Sequence, residues 1–296
     1  MMNRLGWVVL AVAAVGCGEG GSGGGAPNRD AIVAYGRENN SGTYMYFKEH
    51  VLGNADFAPD VLTLPGTAAV IQAVSKDKGA VGYGGIGYVK GVRALKVKKD
   101  AASPGIDPTI DNVVNGSYPI SSYLYFYTVG APEGAVKHFI DWSRGVQGQK
   151  ICGDVGYYPL PEKERAGDAG AVPAGKSTVT IKGSDTMVIL GQRWAEHYMK
   201  SNPDITLQIT GGGSGTGIAA LINGSTNICQ ASRPMKPKEK DQVKEKHGKE
   251  AVEFKVAMDG LAIFVHESSA LQEISLDQLK VIYTGKAKSW SALVKP

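Results

Sequence analysis

Hydroxyl side chains recur in three short polar stretches, each of which separates an apolar run from a helix-like pattern. The stretches are ENNSGT with Ser41 and Thr43, KGSDTM with Ser184 and Thr186, and GGGSGT with Ser214 and Thr216. The start of a helix presents unpaired amide groups and about half a positive charge, and glycine lets an anion approach the backbone. Arg37, close to the first stretch, adds a guanidinium that suits a tetrahedral oxyanion. Together these residues predict an oxyanion site that needs no metal.

Each stretch taken alone has an ordinary alternative, because Ser, Thr and Asp are common N-cap residues. Asp185, in the stretch KGSDTM, has the same alternative. The pattern occurs three times, however, and once together with Arg37. This recurrence favours a shared anion site over three independent helix caps.

Short apolar runs alternate with helical patterns along the chain. Strands are predicted at residues 31–35, 79–83, 177–181, 205–210, 227–231 and 261–266. Helices are predicted at residues 44–51, 67–74, 135–146, 187–200, 217–223 and 275–283. The alternation predicts an α/β fold with largely parallel sheets, in which each polar stretch links a strand to a helix.

The composition is typical of a globular protein. The chain has 296 residues, of which 43% are hydrophobic and 20% are charged, and its formal net charge is +4. It is long enough for one large domain or two smaller ones, and it is not typical of disordered or fibrous proteins. The lysine-rich run at residues 236–249 alternates in sign, so we interpret it as the solvated face of a helix and expect no nucleic-acid partner.

The first residues predict export. Arg4 precedes a short apolar run that ends with AVGC at Cys17, and this run is too short to span a bilayer as a permanent helix. Residues 1–16 are interpreted as a lipoprotein signal peptide, Cys17 as the lipidated residue, and residues 17–26 as a Gly/Ser tether. The alternative is a plain cleaved signal with an incidental cysteine. The expected location is the periplasm or the cell surface.

Cys152 and Cys229 are the other two cysteines of the chain. In an oxidising compartment they could form a disulfide, or they could be two buried thiols, and their spacing leaves both alternatives open. No paired histidines stand near them in the sequence, so no zinc site is predicted. We expect neither a metal nor a cofactor.

Two nucleotide-binding patterns occur without the context that they require. GAVPAGKS at residues 170–177 matches the P-loop pattern, but a strand-like segment follows it where a helix is needed. GYGGIG at residues 82–87 matches the dinucleotide-binding pattern, but extended chain follows it and no acidic residue stands about twenty residues further on. We interpret the first as linker composition and the second as a bulge or a close approach of the backbone.

Four longer segments resemble successive motifs of a known family. They are TVTIKGSDTM, ITGGGSGTGIAALINGSTNICQASRPM, DQLKVIYTGKAKSW and YGRENNSGTYMYFKEHVL. The family is that of the phosphate-binding lipoproteins of the bacterial high-affinity phosphate ABC importer, and the resemblance covers essentially all of residues 28–160 and 177–296. The order of the motifs differs, because the second half of the family pattern comes first here. The chain therefore resembles a circular permutation in which residues 161–176 join the usual ends of the family.

The resemblance implies a two-lobed α/β periplasmic binding protein of type II-like architecture, in which each lobe is a mixed, mostly parallel sheet flanked by helices. Lobe one is expected at residues 131–255, and lobe two at residues 27–130 and 256–296. The segments VAMDGLAIFV and ISSYLYFYTV are expected to cross between the lobes, which close on the ligand about a hinge.

The resemblance also implies which residues hold the ligand. Contacts to phosphate are expected from Arg37, Ser41, Gly42 and Thr43 in lobe two, and from Thr186 and Ser214 in lobe one. The full candidate set is Arg37, Asn39, Ser41, Gly42, Thr43, Ser184, Asp185, Thr186, Ser214, Gly215, Ser232 and Arg233.

Two positions depart from the family pattern. Family members often carry aspartate where this chain has Asn39 and Arg233, so Arg233 is expected to add positive charge near the ligand. Phosphate still carries a proton at neutral pH and sulfate does not, so a buried carboxylate would select phosphate. The candidates for this acceptor are Glu38, Asp185 and Asp259, and Asp185 is favoured because it lies in an anion loop.

The implied function is not enzymatic. It is high-affinity binding of inorganic phosphate and delivery of the anion to the permease and ATPase subunits of an ABC importer, by a monomer that its lipid anchor holds at the membrane. Alternatives of the same class are receptors for sulfate, molybdate or an organic phosphate. A secreted phosphate-ester hydrolase is a further alternative, although the sequence contains no evident metal cluster or nucleophile–base pair. The last alternative is a phosphate-sensing or adhesive surface protein without a transporter.

Overall fold

The computed structural model describes residues 30–88 and 91–293. The predicted signal peptide, the lipidated Cys17 and the tether lie outside the described residues. Within the described part of the chain, no helix combines the length and the apolar character needed to cross a bilayer.

Strands and helices alternate through the described residues, with a few short 3-10 turns between them. Up to residue 160 they are β1 (Val33–Arg37), α1 (Gly42–His50), β2 (Leu62–Leu64), α2 (Gly66–Val74), β3 (Ala80–Gly85), β4 (Val92–Ala94), β5 (Lys96–Lys98), α3 (Ile110–Val114), β6 (Ser121–Val129), α4 (Gly134–Arg144) and α5 (Val146–Asp154). After residue 176 they are β7 (Ser177–Gly183), α6 (Val188–Ser201), β8 (Ile205–Thr210), α7 (Ser214–Asn223), β9 (Ile228–Ala231), α8 (Pro237–His247), β10 (Ala251–His266), β11 (Glu273–Ser275) and α9 (Leu276–Tyr283).

The predicted strands and helices are confirmed, with ends that shift by a few residues, except that the last predicted strand is only the second part of the longer β10. Helix α6 illustrates why the pattern could be read from the sequence. Leu190, Trp194 and Tyr198 recur every four residues, and all three are buried. This spacing places them on one face of the helix, which packs on the sheet. Helix α5 was not predicted, because its sequence VQGQKICGD has too few apolar residues to form a clear stripe.

Nine of the described strands form one sheet, in the order β2-β1-β3-β10-β6-β9-β7-β8, with β4 also paired to β10. Strand β1 is parallel to β2 and β3, and β7 is parallel to β8 and β9. Strand β10 runs antiparallel to β3, β4 and β6. The α/β class is therefore confirmed, with parallel pairing at both ends of the sheet and antiparallel pairing in its middle.

Strand β10 is shared by two halves of this sheet. Residues Ala251–Gly260 pair with β6, and residues Leu261–Val265 pair with β3. We call β1–β4 with Leu261–His266 the first sheet half, and β6–β9 with Ala251–Gly260 the second sheet half. The segment VAMDGLAIFV thus passes from one half to the other. Strand β6, from the other predicted crossing segment, pairs along its whole length in the second half.

Each sheet half has its own hydrophobic core. In the first half, Phe47 stacks on Tyr83 with their ring centroids 4.1 Å apart. In the second half, Trp194 and Phe126 meet edge to face with their centroids 5.9 Å apart. The two cores are joined through the shared strand β10, so the molecule has two lobes. Each lobe consists of one sheet half and the helices that cover its faces. The exact lobe boundaries stay a prediction.

The two ends of the described chain lie side by side. The Ile32 N–H donates to the carbonyl oxygen of Lys288 at 2.9 Å, and the Trp290 N–H donates to that of Asp30 at 2.9 Å. Residues 161–176, which contain one short 3-10 turn, lead from the loop after α5 into β7. Ends that meet in this way are what a circular permutation requires. The permutation itself stays a prediction.

Cys152 and Cys229 are both buried as free thiols. Burial raises the pKa of both thiols, so they stay protonated at neutral pH. Of the two alternatives that the sequence leaves open, the structure has the buried thiols.

Helix α7 crosses β7 so closely that Gly217 has no room for a side chain. A Cβ on Gly217 would lie 2.4 Å from the carbonyl oxygen of Lys182 and 2.6 Å from the Cα of Gly183. Both atoms belong to the backbone of β7, so the helix itself would have to shift. We expect Gly217→Ala to lower the free energy of unfolding by about 2–3 kcal/mol in urea titrations.

The matched control for this prediction is Gly167→Ala, because a Cβ on Gly167 has no other atom within 4 Å. This variant should change the free energy of unfolding by less than about 0.5 kcal/mol. Equal effects of the two substitutions would show that the crossing of α7 over β7 is not tightly packed.

Candidate functional site

Strand β1 ends at Arg37, and helix α1 begins five residues later. Ser41 is the N-cap of α1, and its Oγ accepts a hydrogen bond from the Tyr44 N–H at 3.3 Å. The predicted helix start is therefore confirmed, and it directs Gly42 and Thr43 toward the second sheet half. Arg37 and Thr43 are both almost fully buried, although they belong to a polar loop. Polar groups buried in this way need partners.

The Arg37 guanidinium has partners in both sheet halves. Its Nη1 donates to the Oγ1 of Thr67 at 2.8 Å, and its Nη2 donates to the Oδ2 of Asp185 at 3.0 Å. Thr67 lies in the first turn of α2, whereas Asp185 lies in a 3-10 turn between β7 and α6. A buried charge paired through hydrogen bonds is held in one orientation. Arg37 therefore lies where the two halves meet.

Asp185 is occupied at both carboxylate oxygens. Besides Arg37, which contacts Oδ2, the Gly212 N–H donates to its Oδ1 at 2.8 Å. Neither bond caps α6, because the residue at the N-cap of that helix is Met187 and it makes no side-chain cap bond. Asp185 thus ties three loops together: the loop after β1, the loop after β7 and the glycine loop before α7.

Four buried hydroxyl groups lie against the loop that starts α1. Thr43 Oγ1 and Thr186 Oγ1 are 2.9 Å apart, and Ser214 Oγ and Ser232 Oγ are 3.3 Å apart. A Cβ on Gly42 would lie 2.5 Å from both serine oxygens. The three polar stretches that the sequence singled out therefore meet at one place. We call Thr43, Thr186, Ser214 and Ser232 the hydroxyl cluster.

Asn40 lies outside the hydroxyl cluster and connects the loop after β1 to the glycine loop before α7 and to the first turn of α7. Its Nδ2 donates to the carbonyl oxygen of Gly212 at 3.1 Å, and its own carbonyl oxygen accepts from the Gly215 N–H at 2.9 Å. The neighbouring Asn39, which the sequence predicts as a site residue, is exposed. Ser184 is buried, and its backbone N–H and carbonyl both bond to Gln230.

Arg233 does not present a free charge to the cluster. Its Nη1 and Nη2 donate to Oε2 and Oε1 of Glu239 at 2.8 and 2.7 Å, a bidentate pair within the second half. The Glu239 carboxylate offsets the positive charge of Arg233, and the expectation that Arg233 adds charge near the ligand stays a prediction. The partner could not be predicted from the sequence, since it depends on how α8 packs against α7 and β10.

The family model described as a PBP superfamily domain matches residues 19–144 and 168–296, which is most of the chain. The chain belongs to the PBP superfamily. A relative of this chain, phosphate-binding protein PstS 2 of Streptococcus agalactiae, is 32% identical over 280 residues, which cover 90% of this chain and 89% of the relative. Phosphate-binding protein PstS of Pseudomonas aeruginosa is 37% identical over 137 residues, which cover 45% of this chain and 42% of that protein.

A solved structure has the same fold. The crystal structure of a phosphate ABC transporter, phosphate-binding protein, from Streptococcus pneumoniae aligns with a TM-score of 0.66 and 24% identity, and it covers 89% of this chain and 99% of that chain. The two-lobed α/β fold of periplasmic binding proteins is thereby confirmed for this PBP-superfamily member.

Sequence reasoning missed Thr67, whose hydroxyl group receives the second hydrogen bond of Arg37. Thr67 is 1% exposed and follows Gly66, the first residue of α2. A signal was available, because LPGTAAV places a hydroxyl residue between a strand and a helix, as the three chosen stretches do. The signal is weak, because no other polar residue accompanies Thr67 in this stretch.

The glycines of GYGGIG allow the close approach that the sequence predicts. A Cβ on Gly84 would lie 2.5 Å from the Thr67 methyl carbon, and a Cβ on Gly85 would lie 2.6 Å from that of Thr186. Strand β3 can therefore lie directly beneath the site. The P-loop-like GAVPAGKS leads straight into β7, and among the described residues no group of His, Cys, Asp and Glu is arranged to hold a metal.

Proposed function

We propose that this chain binds inorganic phosphate between its two lobes and delivers it to the permease and ATPase subunits of an ABC importer. The observation that carries the proposal is that donors from both sheet halves come together, in the bond between buried Arg37 and Asp185 and in the hydroxyl cluster. Relatives of similar length are named phosphate-binding proteins, which supports phosphate as the anion. The protein acts as a receptor and not as an enzyme.

The donors suit a tetrahedral anion. The first turns of α1 and α7 and the turn before α6 direct backbone amides and hydroxyl groups at one region, and Arg37 contributes a guanidinium beside them. Helix starts favour negative charge, and several such donors can replace the water around a phosphate. The proposed contacts come from Arg37, Ser41, Gly42, Thr43, Ser184, Asp185, Thr186, Ser214, Gly215 and Ser232, with Asn39 and Arg233 at the periphery.

Binding is coupled to closure of the lobes. Direct contacts join the two sides, including the bond between Arg37 and Asp185 and the pair Thr43 and Thr186, so an anion enters when the lobes swing apart. The shared strand β10 supplies the hinge. In this proposal lobe one is formed by residues 131–255 in a chain whose family order is circularly permuted, and the adjacency of the two chain ends supports that order.

The receptor works at a membrane surface. The apolar run before AVGC supports an exported lipoprotein that is anchored through Cys17, with residues 17–26 as the tether to a monomeric body. Such an arrangement keeps the binding protein close to its importer while leaving it free to open and close.

The test is isothermal titration of residues 27–296 with inorganic phosphate. We expect one phosphate per chain with a Kd at or below about 1 µM, equivalent to roughly −8 kcal/mol. Titrations with sulfate, molybdate and an organic phosphate compare the other oxyanions, and a chromogenic phosphate ester tests for hydrolysis. The proposal is wrong if phosphate gives no saturable heat, or if another oxyanion binds more tightly.

A further inference from the structure

Asp259 is a buried carboxyl group that has few partners. It is 3% exposed, and in the described structure it receives one hydrogen bond, from the Ile86 N–H at 3.4 Å. A carboxylate can accept about four such bonds. Burial raises the pKa of Asp259 to about 7, although the bond from Ile86 opposes the rise. A buried acid whose pKa is raised by burial is a candidate for a functional site when it also lies in a cleft.

The groups around Asp259 do not satisfy it. Tyr46, Tyr118, Tyr158 and Cys152 lie close enough to Asp259 for its charge to raise their pKa. The three phenols donate instead to the carbonyl oxygens of Ser121, Leu261 and Pro108, respectively. The oxygens of the Asp259 carboxyl group therefore receive no hydrogen bond from these phenols.

The carboxyl group borders the hydroxyl cluster. Asp259 pairs with Ser122 of β6, and two residues later Leu261 pairs with Gly85 of β3, so Asp259 lies where β10 passes between the sheet halves. The position of a Cβ on Gly85 would be 3.1 Å from Asp259 Oδ2 and 2.6 Å from the methyl carbon of Thr186. The hydroxyl of Thr186 in turn meets Thr43 across the cleft.

We propose that Asp259 is a specificity-determining residue of this cleft: its carboxyl group accepts the hydroxyl proton of hydrogenphosphate and disfavours tetrahedral anions that carry no proton. The inference rests on the proposed function, which supplies the anion. Asp185, the acceptor that the sequence favoured, is less suited because its carboxylate already forms an ion pair with Arg37 and accepts the Gly212 N–H.

The consequence is a selectivity that depends on pH. Above neutral pH the ionised Asp259 repels sulfate, which has no proton to donate, while hydrogenphosphate still donates one. At acid pH the neutral carboxyl group can donate its own proton to sulfate. The neighbouring groups do not titrate between pH 5.5 and 8.5, because burial raises the pKa of Tyr46 to about 12 and that of Tyr118, Tyr158 and Cys152 well above neutrality.

Sulfate is the sharper probe, because its own charge stays constant over this pH range. We expect the unaltered protein to lose at least about fivefold in sulfate affinity between pH 5.5 and 8.5, as Asp259 ionises. Asp259→Asn should remove this pH dependence. At pH 8.5 it should bind sulfate at least about tenfold more tightly and phosphate at least about tenfold more weakly than the unaltered protein. Asp204→Asn, an exposed carboxyl away from the cleft, is the control and should leave all of these affinities unchanged.

The possible outcomes separate the two proposals. If the unaltered protein binds phosphate but Asp259→Asn keeps the same preference for phosphate over sulfate at pH 8.5, the role of Asp259 is refuted and the proposed function stands. If the unaltered protein binds no phosphate, the proposed function fails and this inference fails with it. Should Asp259→Asn not fold, the sulfate profile of the unaltered protein decides, since a flat profile contradicts the inference.

Discussion

Arg37→Ala is expected to weaken phosphate binding at least about 100-fold, because it removes a buried charged donor from the centre of the cleft. Arg37 is 1% exposed and joins Thr67 to Asp185. Without the guanidinium, the Asp185 carboxylate would face the anion with less compensation, and two like charges would repel each other. Isothermal titration with phosphate at pH 7.5 measures the loss.

Arg193→Ala is the matched control for this prediction. Arg193 pairs with Glu196 on the surface of α6, and both side chains are more than half exposed. Its removal should leave phosphate affinity within about twofold of the unaltered value, since exposed ion pairs contribute little. Arg37→Lys adds a graded comparison, because lysine keeps the charge but loses the planar fork that reaches two partners. An Arg37→Ala protein that binds phosphate within about fivefold of normal would rule out a central role for this guanidinium.

Gly42→Ala is expected to weaken phosphate binding at least about 30-fold by hindering closure of the lobes. A Cβ at this position would lie 2.5 Å from the oxygens of both Ser214 and Ser232, which is closer than real Cβ contacts come. The loop before α1 could then not approach the start of α7, and the hydroxyl cluster would stay apart. The fold itself should tolerate the change, because alanine is favourable in a helix and the lobes can remain open.

Two measurements distinguish hindered closure from damage to the fold. Thermal unfolding without ligand should be nearly unchanged in Gly42→Ala, whereas the dissociation rate of phosphate should rise. Gly153→Ala, in helix α5, is the control, because its Cβ would make only an ordinary contact of 3.6 Å with Pro159. If both variants retain full affinity, then Gly42 does not have to approach the two serines for phosphate to bind.

The site was predictable wherever it depended on local pattern. Ser41, Ser184 and Ser214 each lie between an apolar run and a helical pattern, and these stretches do meet in the structure. The strands and most helices follow from periodicity for the same reason, since burial of one face is imposed locally. The role of these residues in binding phosphate stays a prediction.

The site was not predictable wherever it depended on partners that are distant in sequence. Arg233 looked like an added positive charge, but α8 brings Glu239 against it. Asp185 looked like the best acceptor of a proton, but its oxygens are occupied by Arg37 and by the glycine loop. Asp259 stands in an apolar run whose surroundings only the packed sheet reveals.

The α/β class and the three polar loops that form the cleft follow from the amino-acid order alone, because secondary structure and helix starts depend on the spacing of apolar and hydroxyl residues. The pairing of the charges, in contrast, depends on the packed structure. The interaction of a charged group depends on its distance from other charges and on its burial, and both are set by strands that cross from one sheet half to the other. The crossing strands therefore place Arg37 against Asp185, and they leave Asp259 with one hydrogen bond in the described structure.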